Sequence, residues 1–112
     1  KKHTQYDTDG KIELIEDYKG GVLVSKQEYI LGNFRGRTKY IYNNTTHQIR
    51  EEYYEDKTGV KPSFTKVYQL TYDKMGNLIL KVLIAEESSG KVKNFKGNDI
   101  QIEEKRELEY YP

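Results

Sequence analysis

The sequence predicts an all-β protein, an antiparallel meander of about seven to eight strands forming a curved sheet or a small up-and-down barrel. Three observations predict it. Segments rich in β-branched residues and tyrosine alternate between apolar and polar positions. Short Asp-, Asn- and Gly-bearing clusters separate them at hairpin spacing. A convincing helical period is found nowhere in the first hundred positions.

The elements follow in order. Residues 11–18 (KIELIEDY) place Ile12, Leu14 and Tyr18 at period two, interrupted by Ile15. Residues 21–31 (GVLVSKQEYIL) read as a second strand. Residues 37–43 (RTKYIYN) and 48–55 (QIREEYYE) flank the turn-like Asn-Thr-Thr-His. Residues 64–73 put Phe64, Tyr68, Leu70 and Tyr72 on one side and Thr65, Val67, Gln69 and Thr71 on the other. Residues 78–86 (LILKVLIAE) are apolar on both sides, which predicts the most central strand. Residues 100–111 (IQIEEKRELEYY) alternate as a strand, while their middle, EEKRELE, is also a sequence that a helix would accept.

Turn chemistry supports the hairpins. In Asp7-Thr8-Asp9-Gly10 an aspartate opens a type I turn and a glycine takes the left-handed position of a G1 bulge. Asp73-Lys74-Met75-Gly76 fits the same geometry, and Asn43-Asn44-Thr45-Thr46 is a looser relative without the glycine. Residues 19–21, 56–59 and 87–90 are further breaks.

A chain of 112 residues is one domain by length, covering 1–112. Hydrophobic residues are 35% and charged residues 33%, so the core is thin. Eleven tyrosines must supply part of it. The net charge of +1 gives no single-signed field to attract nucleic acid or an anionic membrane. The absence of cysteine removes disulfides and thiolate chemistry. No apolar run reaches the ~18 residues of a membrane-spanning helix. The opening KKH fits a processed chain or a piece of a longer one, and the reading favours a secreted, periplasmic or cell-surface protein.

The phrase Tyr-Asp-x-x-Gly occurs twice, at Tyr6 and Tyr72, each time before an apolar run. Asn33-Phe34-Arg35-Gly36 lies downstream of the first copy and Asn94-Phe95-Lys96-Gly97 downstream of the second. The spacing raises two alternatives. Residues 6–43 and 72–104 are related halves, or tyrosine-rich hairpins reuse the same turn chemistry. YDTDGKIEL and YDKMGNLIL resemble the YD repeats of rearrangement-hotspot and teneurin-type shell proteins. Similar phrases recur in lipid-anchored bacterial β proteins and in MORN-variant repeat proteins. The resemblance covers about nine residues, twice, and these copies stand further apart than YD repeats do. It implies stacked β-hairpins with a structural, non-enzymatic role, and carries no catalytic residues.

Motifs for chemistry are sparse. His3 and His47 read as solvent-exposed, without a metal. Asp-Thr-Asp-Gly opens like a calcium loop, but the position that needs a bidentate glutamate is Tyr18. No serine lies in a Gly-x-Ser-x-Gly elbow. Glu104 is an ionisable group on an inward-reading face, with Arg106 as its simplest partner. No catalytic residue, cofactor or metal is assigned, and the reading is not an enzyme.

Three features point to binding. Phe34, Arg35 and Arg37, and Phe95 with Lys96, interleave aromatic and basic groups that can stack on bases and neutralise phosphates. The plainer reading is that each phenylalanine closes an end of the core. Tyr40, Tyr42, Tyr53, Tyr54, Tyr68 and Tyr72 form an aromatic strip if neighbouring strands align them, either as core or as a binding face. Asn43-Asn44-Thr45 and Asn44-Thr45-Thr46 are overlapping glycosylation sequons. The candidate binding residues are therefore Phe34, Arg35, Arg37, Tyr40, Tyr42, Phe95 and Lys96. Charges at Glu16, Lys26, Glu28, Glu104 and Arg106 on the inner-reading face suit an open sheet better than a dry cavity. The leading function is a non-enzymatic interaction module with a protein partner. A barrel holding an apolar or pigment-like ligand comes second, and an OB-like single-strand nucleic-acid binder third.

Overall fold

Nine strands form one antiparallel sheet in the computed structural model, which describes residues 1–88, 90–95 and 101–105, the last five as backbone. They are β1 Lys2–Tyr6, β2 Ile12–Lys19, β3 Val22–Ile30, β4 Asn33–Asn43, β5 Gln48–Tyr54, β6 Phe64–Tyr72, β7 Leu78–Ser88, β8 Lys91–Asn94 and β9 Gln101–Lys105. The order across the sheet is β1 to β8, and β9 pairs with β7. β8 pairs with residues 85–88 of β7, and β9 with residues 80–83. The two short strands thus share one lane, giving eight lanes in an up-and-down meander. Among the described residues the sheet stays open and there is no helix. Of the two forms the sequence allows, this is the open one.

Local turn chemistry sets these lanes. The Asp7 carboxylate Oδ1 accepts hydrogen bonds from the backbone of Asp9 and Lys11, both at 2.9 Å. The Gly10 N–H donates to the Asp7 carbonyl at 3.1 Å, with Gly10 at φ +78°. At the second copy, Asp73 Oδ1 accepts from Met75 and Asn77, again both at 2.9 Å. Gly76 N–H donates to the Asp73 carbonyl at 3.1 Å, with φ +84°. The two phrases therefore build one turn with the same bonds. Asn43 caps its own turn through Oδ1, and His47 takes the left-handed position at φ +54°.

The paired copies diverge beyond their turns. Phe34 begins the third strand after its turn, whereas Phe95 follows the second. Two further hairpins close with two-residue turns. Lys19 pairs with Val22 around Gly20 and Gly21, and Ile30 pairs with Asn33 around Leu31 and Gly32. All four turn residues have positive φ, as the primed hairpin turns require. The turn at Leu31 divides the segment from β4, so β4 starts at Asn33 rather than at residue 37. The first central position of this turn is Leu31 rather than Asn or Asp, so the sequence does not announce it.

Contacts divide the chain into two compact units, Lys1–Ile41 with Glu51–Thr65, and Tyr42–Arg50 with Lys66–Pro112. β4, β5 and β6 each contribute to both. In the first unit Tyr54, Thr38 and Thr65 are buried. In the second, Ile49, Tyr68, Leu70, Leu83 and Phe95 are buried, Tyr68 and Leu83 at 2% exposure. Most other strand side chains are half-buried on both faces, because lateral neighbours in the same sheet are their cover. β7, predicted from its apolar run to be the most central strand, lies instead one lane in from the edge, between β6 and the lane of β8 and β9. β9 is strand rather than helix, and residues 106–111 of that predicted segment lie outside the described residues.

Two stability outcomes follow from the turns. Asp73→Ala removes two backbone hydrogen bonds to one carboxylate and should lower stability by about 1–2 kcal/mol, as should Asp7→Ala. Asp→Asn at either site keeps Oδ1 and should cost less, read from urea midpoints. Leu31 holds φ +53° with its side chain 64% exposed, so it carries backbone strain with little packing in return. Leu31→Asn should raise stability by about 1 kcal/mol, or roughly 4 °C in Tm.

Candidate functional site

Strand register decides which side chains meet, and β-bulges reset that register. Gln27 pairs with Arg37, and Ser25 with Lys39, so all four share one face of the first unit. Lys26 pairs with Thr38, and Glu28 with Gly36, on the other face. A bulge between Glu28 and Tyr29 then brings Tyr29 opposite Phe34, where the rings meet edge to face at 5.7 Å. Phe34 therefore packs with Tyr29 on the Arg37 side, and Arg35 is the extra, exposed residue of the bulge.

The Arg37 face carries a cleft of about 560 Å³. Its floor includes Ser25, Gln27, Arg37 and Tyr54, with Val24 and Val60 as apolar walls. The guanidinium lies 4.3 Å above the centre of the Tyr54 ring. Its Nη2 donates to the Gly59 carbonyl at 2.7 Å. Gly59 belongs to the 55–63 connection, whose Ser63 N–H donates to the Tyr53 carbonyl at 2.7 Å. Lys57, from the same connection, places Nζ 5.9 Å from the Tyr29 ring. Asp17 also lines the cleft and accepts from Ser25 Oγ at 3.3 Å.

The opposite face is a polar ladder with an aromatic end. His3 Nδ1 lies 3.6 Å from Glu16, which pairs in register with Lys26. Lys26 Nζ lies 3.1 Å from Glu28. Glu16, Lys26 and Glu28 thus share a half-wet face, which agrees with the open sheet that charges there imply. Tyr53 packs directly on Gly36. A Cβ at that position would come within 2.6 Å of the Tyr53 hydroxyl, so only glycine fits beneath the ring. Tyr53 also stacks on Phe64 at 4.7 Å and 22°.

Most residues singled out in the sequence have a place in one unit or the other. Phe34, Arg35 and Arg37 lie in the first unit, in strand rather than loop. Tyr40 lies beside Lys26 on the first unit's ladder face by register, and it also lines the Arg37 cleft. Tyr42 is exposed in the second unit at 39%, and Phe95 is buried there at 6% with the Lys93 ammonium 5.0 Å from its ring centre. Lys96 lies outside the described residues, as do the side chains of Glu104 and Arg106. The tyrosine strip is divided. Tyr54 and Tyr68 are core, Tyr53 and Tyr40 face the ladder, and Tyr72 lies 5.6 Å from the His47 ring. Sequence reasoning had no access to Gly59, Val60 or Ser25, because nothing local marks a loop carbonyl for an arginine 22 residues away.

Compared with family models, curated proteins and solved structures, the chain matches none.

The ladder responds to alkaline pH. Desolvation opposes the charge on Lys26, but its hydrogen bond to Glu28 and its attraction to Tyr40 and Glu28 prevail, so its pKa is raised. Burial raises the Tyr40 pKa, as does Glu51, against the opposing pull of Lys26. Both groups hold their proton more tightly when folded than when unfolded. Their contribution to stability is full below the ordinary range near pH 10 and is lost as pH rises through the raised values. The urea midpoint should therefore fall as pH rises above about 10, and Tyr40→Phe, which removes one titrating group and one of the attractions that raise the Lys26 pKa, should flatten that fall.

Proposed function

We propose that the chain is a non-enzymatic interaction module for a protein partner, at work outside the cell or at its surface. The observation that carries this reading is the single open sheet. With no helix or second sheet among the described residues, strand side chains stay half exposed on both faces. Tyr6, Ile30, Ile41 and Phe64 are exposed in the first unit, and Tyr42, Tyr72 and Val92 in the second. Apolar and aromatic groups held on a rigid ladder, with basic groups among them, are what a partner surface covers.

The other readings have less support. An apolar ligand needs an enclosed interior, and the sheet stays open. Base stacking by Phe34 and Phe95 is disfavoured because one ring packs on Tyr29 and the other is buried. The repeated Asp turn is compatible with a YD-type hairpin protein, a reading that rests on two short phrases.

The test is site-specific photo-crosslinking in the native source. A benzophenone amino acid replaces Arg35 or Tyr42, both exposed, or Thr8 at a turn tip as control. Discrete protein adducts at the sheet positions and none at Thr8 are expected. No adduct at either sheet position, or equal adducts at all three, would sink the reading.

A further inference from the structure

Arg37 Nε is buried and has no hydrogen-bond partner. Nε and Nη2 form one edge of the guanidinium, with two N–H groups pointing the same way. That edge matches the two oxygens of a carboxylate. Here Nη2 meets the Gly59 carbonyl at 2.7 Å, and a single carbonyl oxygen leaves Nε unmet. A buried charged donor left unpaired is costly, and a native fold that keeps one needs a reason.

We propose that the Nε–Nη2 edge of Arg37 is a seat for a carboxylate from an acidic segment of a protein partner, and that the Gly59 carbonyl fills it when the partner is away. This rests on the interaction-module reading and names the chemistry of its partner. Charge complementarity supports it. The charged groups lining the cleft are Arg37, Lys39 and Asp17, a net positive set, and Asp17 is engaged by Ser25. Among the described residues neither Arg37 nor Lys39 has an ion pair. The Tyr54 ring fixes the guanidinium plane, so the fork is already oriented. Lys39, two residues along β4 on the same face, supplies a second cation. Val24 and Val60 flank the seat, which fits an aliphatic residue beside the acidic one. Docking exchanges a neutral acceptor for a charged bidentate one and lifts the 55–63 connection from Arg37.

The experiment follows the Arg37 Nε–Hε resonance in the ¹⁵N-labelled chain during titration with the peptide acetyl-Glu-Glu-Val-amide. The control peptide is acetyl-Gln-Gln-Val-amide. A saturable downfield shift with the acidic peptide and none with the control is expected. Lys39→Met, at an exposed side chain, should weaken binding about five-fold. Arg37→Lys, followed through the backbone amide resonances of Gln27, Lys39 and Gly59, should abolish the peptide-induced shifts, because an ammonium lacks the paired fork. A dispersed amide spectrum checks that this variant folds, and Lys39→Met carries the test if it does not. An unmoved Hε resonance, an equal shift with the control peptide, or an affinity unaltered by Lys39→Met would overturn the proposal. The two readings fail separately. Protein adducts without a carboxylate response would remove the seat and leave the module. A carboxylate response without protein adducts would keep the seat's chemistry and remove the protein partner.

Discussion

Everything in this protein depends on register held by hairpin turns. Side chains in a sheet alternate with period two, so a slip by one residue sends each of them to the other face. Here no second layer among the described residues penalises the slip, and the turns carry more of the specification. They do so through backbone chemistry. Asp7 and Asp73 each gather two N–H groups on one oxygen, and glycines at positive φ complete the reversal. Leu31 shows that the geometry matters more than the preferred residue, since it takes a left-handed conformation at a cost.

The bulges are the second device. Each inserts one residue in a strand and swaps the faces beyond it. The bulge at Glu28/Tyr29 exposes Arg35 and turns Phe34 toward Tyr29. Tyr53 and Tyr54, adjacent in sequence, then do unrelated work on opposite faces. Tyr53 covers Gly36 and stacks on Phe64, whereas Tyr54 is the platform for the Arg37 guanidinium. The polar ladder and the cationic cleft are two sides of the same few strands. A hydrophobic core this thin leaves tyrosine rings, methylene stems and hydrogen bonds to fill the sheet laterally.

Much of the fold was legible in the residues because its causes are local. Period-two alternation, β-branched content and Asp-x-x-Gly turns act over a few positions, and they mark most strands. The strands missed have non-local causes. β1, with the sequence KHTQY, has little alternation of its own and exists because β2 offers it an edge. The lane shared by β8 and β9 is interrupted beside a continuous β7, and no local signal sets where it breaks. The start of β4 was hidden because its turn uses Leu-Gly rather than Asn-Gly.

The candidate site divides in the same way. The sequence by itself determined the all-β class, the doubled aspartate turn and the basic-aromatic character of residues 34–37, since each follows from neighbouring residue types. Only the tertiary structure decided that Arg37, Phe34 and Tyr54 share a face while Tyr40 takes the other. It alone brought the Gly59 carbonyl onto one half of a guanidinium edge and left the other half empty. The reason is physical. Bulges shift face parity through cross-strand pairing, and a loop carbonyl meets an arginine 22 residues away only after the strands between them have aligned.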